Sequence, residues 1–516
     1  MIREKLNILW IGLMISTSLQ AQKLYYSVDR LRQQNVWLGS DNAAALTTYN
    51  FDDFTQAEVA ACTLSGKYRQ AFDAQRDNSY SLTADSYKRL NKVVVYGHFL
   101  FDYDWKKEQS WSSMTFPGST PLHIADVTPG DQLKESYGIT GGIGVPLGKG
   151  WSVGGQFDFL YVANSKKKDV RNQNQYSRYA VSPSLMYQVG AFRIGASYRG
   201  GRETEGISWK LFGDAKQHQL YYFEGLWFGK NEAYSSSIDN RRYETSHHTG
   251  SLQLGLVSSD IQFLNQFSLG RDKQHVYLKV EKGERGGEME NARYAYQGQL
   301  VIDRNSFSHI ISGSVNHDFM KSYQNLQQQE MVNHIYQFVQ YGRLNRYTSS
   351  DWNTNVSYDL YRNREGLNSS WHLGVEAGYL SQTERFRVYP QIYCQKISQT
   401  FGALLFDKNF SFTQGMLDLG FRAVYTFGTG DELATENQEV VTPDYISRPD
   451  IQQYQFGYLT ANHVAADLWM KYTYFVKPET GMSAYAKVAY GYDRVTDGTF
   501  KSDHRMTCRL AIGLNF

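Results

Sequence analysis

Cysteine and proline are both scarce in this sequence. Its 516 residues include three cysteines, Cys62, Cys394 and Cys508, and nine prolines. Three widely spaced cysteines are too few for a disulfide framework or a zinc site, and their odd number leaves at least one thiol unpaired. Because proline interrupts the hydrogen bonding of a sheet, its scarcity favours long, regular strands.

Long hydrophobic runs and a strong charge imbalance are missing as well. After residue 21 no apolar run approaches the ~18–20 residues that a membrane-spanning helix requires, and the mean hydropathy is −0.52. The formal net charge is +2, and no basic stripe with interleaved stacking aromatics is present. The composition therefore offers no case for membrane-spanning helices in the mature chain or for nucleic acid as a partner.

Aromatic residues and glycine, by contrast, are abundant, with 39 Tyr, 28 Phe, 10 Trp and 44 Gly. Alternation is clearest at the C-terminus, where every second residue is apolar: Met506, Cys508, Leu510, Ile512, Leu514 and Phe516. A strand sends successive side chains to opposite faces. This stretch therefore predicts a strand with lipid on one side and a polar lumen on the other.

The N-terminus has the three parts of a secretory signal peptide. Arg3 and Lys5 precede an apolar run over residues 6–19, and Ala21 is the small residue of a cleavage site. We therefore expect residues 1–21 to be removed and the mature chain to be exported.

Alternation with a period of two continues through most of the chain after residue 92. The clearest hairpin runs over 137–161 and turns at Gly148, Lys149 and Gly150, where glycine permits the positive φ of a tight turn. Further strands are predicted up to the C-terminus, among them one over 454–476. The predicted fold is all-β, a transmembrane antiparallel β-barrel of about 16 strands, within a range of about 14–18. It covers 91–516, and residues 22–90 form a plug, a periplasmic tail or early strands.

Three features resemble those of known families. Trp37, Ser40 and residues 42–46 (Asn-Ala-Ala-Ala-Leu) resemble the lumen plug of long-chain fatty-acid transporter-type barrels, although they depart from the usual Asn-Pro-Ala order. With the 86–90 run (Ser-Tyr-Lys-Arg-Leu) and the aromatic closing strand, they also resemble an uncharacterised family of outer-membrane barrels from anaerobic Gram-negative bacteria. That resemblance implies fold and location but no activity. In outer-membrane barrels a C-terminal Phe is part of the signal that the barrel-assembly machinery reads, which is the role implied for Phe516.

Charged side chains fall on the non-lipid face of the last strands: Asp418, Arg422, Asp467, Lys471, Lys487, Arg505 and Arg509. Lys or Arg facing hydrocarbon costs ~2–4 kcal/mol near the bilayer midplane, so these side chains are predicted to face the lumen. They form either a charged constriction that selects solutes or a self-neutralising network that braces a filled interior. Arg505 and Arg509, a surplus of cations, are the best candidates for an anion-attracting wall.

No arrangement of residues predicts catalysis. The 12 histidines are spread singly apart from His247 and His248, which point to opposite faces of a strand and cannot share a metal. His309 and His317 are too far apart in sequence to bind one ion. We therefore expect no enzymatic activity, no cofactor and no metal site.

The predicted location is the bacterial outer membrane, in contact with its lipids. The preferred function is passage of a small solute, either porin-like or through a channel for a hydrophobic solute in which Trp37 and Asn42 belong to a plug. The alternative is a non-transporting barrel that acts in assembly, in surface interaction or as an accessory to partner uptake proteins. An open lumen favours the first function, and a lumen packed by side chains favours the second.

Overall fold

The computed structural model describes residues 27–213, 218–233, 240–279, 284–304, 306–332, 335–363, 369–388, 391–435, 446–477 and 481–516. The predicted signal peptide, 1–21, lies outside the described residues.

Eighteen strands form one closed antiparallel barrel. Each strand pairs with the next along the chain, and the last pairs with the first, so that Gly66 lies opposite Arg505 and Gln56 opposite Asn515. The strands are β1 Phe54–Gly66, β2 Arg76–Leu90, β3 Val93–Gln109, β4 Gly130–Gly148, β5 Trp151–Lys166, β6 Arg171–Val189, β7 Phe192–Lys210, β8 Arg241–Val257, β9 Ile261–Lys279, β10 Glu284–Arg304, β11 Phe307–Val332, β12 Ile335–Asn363, β13 Ser369–Val388, β14 Gln391–Phe412, β15 Gly415–Thr435, β16 His463–Lys477, β17 Met482–Val495 and β18 His504–Asn515.

The number of strands and the start of the barrel differ from the central prediction. The barrel has 18 strands, which is the upper end of the predicted range, and 16 was too few. Its wall begins at Phe54 and not at residue 91, because β1 and β2 both lie within 22–90. Small and polar residues occupy much of these two strands, so the contrast between their two faces is weak in the sequence.

Side chains alternate across the barrel wall as the C-terminal pattern predicts. On the outer face of β18, Leu510 and Ile512 are 53% and 69% exposed, whereas Ala511 between them is 3% exposed. Closure pairs every strand edge, which is necessary where lipid provides no hydrogen-bonding partner. A closed wall with apolar rows outside and polar rows inside has the architecture of a bacterial outer-membrane β-barrel, and the outer membrane is where this protein resides.

The two ends of the barrel differ in the length of their connections. At one end the turns are tight, and Gly148, Lys149 and Gly150 have φ values of 91°, 51° and 83°, as expected for this hairpin. At the other end the connections over 110–129 and 211–240 are long. Short turns face the periplasm in such barrels. Because β1 starts at the short-turn end, the chain that precedes it enters the barrel from the periplasmic side.

In the described part of the chain two α-helices do not belong to the barrel wall, α1 Val28–Gln34 and α2 Pro449–Leu459. Within the described residues, no helix combines the length and the apolarity needed to cross a membrane. Helix α2 replaces the first part of the strand predicted over 454–476. Proline suits the first turn of a helix, where its missing N–H is not needed, and Ile451 is buried beneath the helix.

The long loops fold over the extracellular end of the barrel. A small sheet of Ile124–Asp126, Gln219–Gly225, Phe228–Ala233 and Ile446–Ser447 lies there together with α2. We call residues 110–129, 218–233 and 446–462 the extracellular cap. It packs against the inner face of the wall, where the ring centroids of Phe228 and Phe386 are 4.8 Å apart.

Candidate functional site

Residues 28–49, which we call the N-terminal segment, fold compactly because polar side chains cap each of their turns. The Ser27 hydroxyl accepts a hydrogen bond from Arg30 N at 3.2 Å and starts α1. The side chains of Asn35 and Asn42 accept from Trp37 N at 3.3 Å and Ala44 N at 3.0 Å, which starts the two 3-10 turns Val36–Gly39 and Ala43–Thr48. Such caps satisfy N–H groups that a helical turn leaves free.

Trp37 and Asn42 anchor the N-terminal segment to the inner face of the wall. Asn42 Nδ2 donates to the carbonyl oxygen of Leu185 at 2.9 Å and to Gln253 Oε1 at 3.0 Å. Trp37 is fully buried and packs with Leu264 of β9 in one apolar cluster. Both residues therefore hold the segment against lumenal side chains of the barrel.

Glycines on the inner face of the wall make room for the N-terminal segment. A Cβ placed on Gly144 would lie 2.9 Å from Leu46, and one on Gly255 would lie 2.8 Å from the Trp37 ring. A Cβ on Gly154 would overlap the backbone of Ala43 and Ala44. The shape of the wall is therefore complementary to the segment, and larger side chains at these positions would displace it.

A polar cavity of about 590 Å³ lies beside α1 inside the barrel. It is lined by Ser27, Val28, Asp29, Arg32, Gln56, Glu58, Thr83, Asp85, Tyr96, His98, Lys471, Tyr485, Lys487 and Arg509. Four of these side chains are Lys or Arg and three are Asp or Glu, so the lining has a formal charge of +1 when His98 is neutral. The cavity is a water-accessible chamber suited to a hydrophilic molecule.

Two of the three carboxylates already have strong partners. Arg509 Nη2 donates to Glu58 Oε1 at 2.7 Å, and the Tyr485 hydroxyl donates to Glu58 Oε2 at 2.9 Å. The Tyr96 hydroxyl donates to Asp85 Oδ1 at 2.6 Å, and His98 Nδ1 lies 3.1 Å from the same oxygen. Glu58 and Asp85 are therefore occupied by groups of the wall.

Lys471 and Lys487 have no such partner. They lie directly opposite each other on β16 and β17 and both point into the lumen. Among the described residues, no carboxylate is within ion-pairing distance of either ammonium group, and Lys471 Nζ lies 4.3 Å from the centre of the Tyr485 ring. Asp418 is opposite Lys471 on β15, but its carboxylate accepts a hydrogen bond from Asn409.

The other predicted lumenal charges lie apart from this cavity. Arg422 Nη2 donates to Glu376 Oε2 at 2.7 Å, and its Nη1 is 4.0 Å from Asp467 Oδ2. Arg505 Nη1 is 3.3 Å from Asp73 Oδ2 in the loop between β1 and β2. All seven predicted residues thus occupy lumenal positions, but only Lys471, Lys487 and Arg509 line the cavity, and Arg505 belongs to the extracellular end.

Sequence reasoning missed the residues that the early part of the chain contributes to the cavity. Arg32 comes from α1, Glu58 from β1, and Asp85 from β2, with Tyr96 and His98 on β3. Glu58 and Asp85 have the parity of inward-facing residues in their strands. Extending the alternation test to 54–90 would have found these two carboxylates.

The extracellular cap is held by aromatic packing. The Phe223 ring lies 5.1 Å from Trp227 and 5.9 Å from Tyr221, and the Arg448 guanidinium sits 4.4 Å above Trp111. His123 packs between Phe223 and Trp227, with ring centroids 4.9 and 5.0 Å away. Burial among these rings lowers the pKa of His123 to about 4, so its imidazole is neutral at physiological pH.

Phe516 completes the closure of the barrel through its backbone. Its N–H donates to Thr55 O at 2.9 Å, and Thr55 N donates to its carbonyl oxygen at 2.7 Å. Its side chain is 47% exposed and lies at the periplasmic rim. An aromatic side chain at this height suits the interfacial girdle of a barrel.

The histidines form no shared metal site in the described residues. His247 Nδ1 pairs with Asp272 at 2.8 Å, while His248 Nδ1 contacts the Tyr198 hydroxyl at 2.6 Å on the other face of β8. No group of three or more His, Cys, Asp or Glu side chains in the described part of the chain could hold a metal ion.

Comparison with known families gives one match. Residues 43–516 match the family described as "Family of unknown function (DUF6850)". The match starts inside the N-terminal segment and includes all 18 strands. No curated protein matches the chain.

Several solved structures are similar to this chain at low sequence identity. BauA, the ferric preacinetobactin receptor from Acinetobacter baumannii, has a TM-score of 0.40 and 7% identity, and the match covers 90% of this chain and 80% of that chain. The siderophore receptor PiuA from the same organism has a TM-score of 0.38 and 9% identity, with 90% and 82% covered. The ferric-catecholate import receptor Fiu from E. coli K12 has a TM-score of 0.35 and 8% identity, with 90% and 82% covered.

Proposed function

The chain belongs to the DUF6850 family of unknown function, and from the geometry of its interior we propose that it passes a small hydrophilic solute across the outer membrane. In this proposal the N-terminal segment, with Trp37 and Asn42, is a plug that closes the periplasmic side of the lumen. The extracellular cap narrows the other side and lets small ions pass while it stays folded. Passage then requires the N-terminal segment to move, so the protein is a gated channel and not a permanently open pore.

One observation carries this proposal: the wall has glycine where the N-terminal segment lies. Gly144, Gly154 and Gly255 would clash with the segment if they carried a Cβ. A barrel that only needed a solid interior could fill it with side chains of its own strands. Here the lumen is filled instead by a separate piece of chain, which can move without unfolding the wall.

The polarity of the cavity supports a hydrophilic solute. Its lining is dominated by charged and hydroxyl-bearing residues, among them Arg32, Glu58 and Lys487. The resemblance of the Trp37 and Asn42 region to fatty-acid transporters would favour a hydrophobic solute. Desolvating several charges to admit an apolar molecule would be costly, so we favour a polar one.

The second candidate is a non-transporting barrel that serves as an accessory or surface protein. The aromatic packing of the extracellular cap favours it, because Trp111, Phe223 and Trp227 form a cluster in which each is less than a tenth exposed. A permanently closed cap would present a fixed surface to partner uptake proteins.

We further propose that Phe516 is part of the insertion signal read by the barrel-assembly machinery of a Gram-negative host, with the signal peptide 1–21 directing export. The outward aromatic side chain at the end of β18 supports this role. Deleting Phe516 should then lower the amount of barrel in the outer membrane, which heat-modifiable migration on gels would measure.

Planar-bilayer conductance of the refolded barrel tests the proposed function. The chain starting at residue 22 should be silent or open only rarely, and the chain starting at residue 50 should conduct steadily because the lumen loses its plug. Heat-modifiable migration of both proteins serves as the control for folding. Silence from both barrels would contradict solute passage and favour the accessory function.

A further inference from the structure

Two lysines of the interior cavity make no direct ion pair with the described part of the wall. Lys471 and Lys487 are cross-strand neighbours on β16 and β17, and like charges directly opposite each other repel. Within the described residues neither ammonium group has an ion-pairing partner. Two inward-pointing cations at directly opposite positions of neighbouring strands can both contact the oxygens of one acidic group.

Three other lumenal cations have carboxylate partners, in contrast to the two lysines. Arg509 is paired with Glu58 at 2.7 Å, Arg422 with Glu376 at 2.7 Å, and Arg505 with Asp73 at 3.3 Å. Asp418, the carboxylate opposite Lys471, is bound by Asn409. Asp418 attracts both lysines only from beyond ion-pairing distance, so within the described residues no carboxylate is in direct contact with either ammonium group.

Arg32 brings a further cation to the same cavity from the N-terminal segment. Its Nε donates to the Tyr87 hydroxyl at 3.1 Å and its Nη2 to the Tyr96 hydroxyl at 2.8 Å. Both partners are neutral hydroxyl groups. A guanidinium has five N–H donors and binds carboxylate and phosphate well, so Arg32 retains capacity for an anion in the cavity.

The carboxylates that line the cavity oppose an anion only weakly. Glu58 and Asp85 are each engaged by two wall groups, as described above, so part of their charge is balanced. Asp29, on the first turn of α1, is exposed to the water of the cavity. The most positive part of the lining is therefore the side formed by Lys471 and Lys487.

From these contacts we propose that Lys471, Lys487 and Arg32 form a binding site for a small organic anion, which they hold through its carboxylate or phosphate oxygens. This inference rests on the proposed function and names the class of solute. Because Arg32 belongs to the N-terminal segment and the lysines to the wall, a bound anion interacts with both parts. Binding therefore influences how firmly the segment is held.

Isothermal titration calorimetry on the full-length refolded barrel tests the site, with succinate and inorganic phosphate as separate probes. Low ionic strength is needed because salt screens such interactions. The double variant Lys471→Met, Lys487→Met should bind the preferred probe at least tenfold more weakly than the unaltered barrel. Comparing the two probes shows whether carboxylate or phosphate is preferred.

Two variants control for charge and folding. Arg422→Met removes a lumenal cation that is paired outside the cavity, and it should leave the affinity unchanged. The variant Lys471→Arg, Lys487→Arg keeps both charges and should retain binding within about threefold. Heat-modifiable migration identifies any variant that fails to fold, and in that case the single variant Lys487→Gln replaces the double one.

Three results would overturn the site. They are absence of binding of both probes to the unaltered barrel, equal weakening by Arg422→Met, and undiminished binding by the folded Lys471→Met, Lys487→Met variant or by Lys487→Gln in its place. Conductance of the barrel that starts at residue 50 is recorded separately. Silence there would refute solute passage while the calorimetry still reports on the anion site. Steady conductance with no binding would refute the site alone.

Discussion

The N-terminal segment and the extracellular cap, which we propose close and narrow the two ends of the lumen, differ in the groups that hold them. The N-terminal segment is held by the buried side chains of Leu31, Trp37 and Tyr49, by hydrogen bonds from Asn42, and by glycines that give it room. The cap is held by packed aromatic rings around Phe223, and these rings surround His123. Apolar burial stabilises both, but of the two only the cap buries an imidazole, whose charge changes with pH. The two should therefore differ in their response to a clash at the wall and in their response to acid.

The largest effect is expected from filling the space that the wall reserves for the N-terminal segment. Gly154→Val should expel the segment, because even a Cβ at this position overlaps the backbone of Ala43 and Ala44. The full-length variant should conduct in planar bilayers almost as well as the truncated barrel, while the extracellular cap remains protected from protease.

Gly155 provides a matched control on the same strand. It faces outward and a Cβ there has open space, so Gly155→Val should leave the barrel as silent as the unaltered protein. Equal conductance of the two variants would show that the effect comes from the strand and not from the segment.

An intermediate effect is expected at the extracellular cap when the pH falls. The pKa of His123 is about 4 in the folded cap and about 6.5 in an open one, so the open cap binds more protons between these values. Cap stability should therefore be intact above pH 6.5 and decrease as the pH falls towards 4, by at most about 3 kcal/mol. Hydrogen exchange of residues 218–233 measures it.

His123→Phe is the control for this titration, since it keeps an aromatic ring in the cluster and removes the ionisable group. Its cap should lose the pH dependence between 6.5 and 4. The N-terminal segment, which lacks histidine, should show no such change. If falling pH increased hydrogen exchange in the N-terminal segment before it did so in the extracellular cap, this contrast between the two parts would be contradicted.

The smallest effect is expected from removing one polar anchor of the N-terminal segment. Asn42→Ala loses the cap of the second 3-10 turn and two hydrogen bonds to the wall, and it should weaken attachment by about 1–3 kcal/mol. Brief openings in the bilayer should become more frequent.

Asn42→Ser separates the two contributions, because its hydroxyl keeps an acceptor that can cap the 3-10 turn and loses the amide donor to Leu185 O. It should open less often than Asn42→Ala. If both variants were as silent as the unaltered barrel, the segment would be held by the burial of Trp37 instead.

The alternation of side chains was readable in the sequence wherever one face of a strand was clearly apolar. It identified the barrel, the closing strand with Leu510 and Ile512, and the lumenal side of Lys471 and Lys487. It did not identify β1 and β2, where small polar residues weaken the contrast. It also failed at α2, since tyrosine and phenylalanine occur in strands and in packed helices alike.

The sequence by itself thus determined the wall of this protein, because the two faces of a strand follow from the nearest neighbours along the chain. Only the tertiary structure decided the contents of the lumen. Which charges share a cavity depends on the registers of neighbouring strands and on closure of the barrel, which places Glu58 beside Arg509. The packing of Trp37 against Gly255 likewise joins residues more than two hundred positions apart in the sequence. No local sequence pattern encodes such a contact.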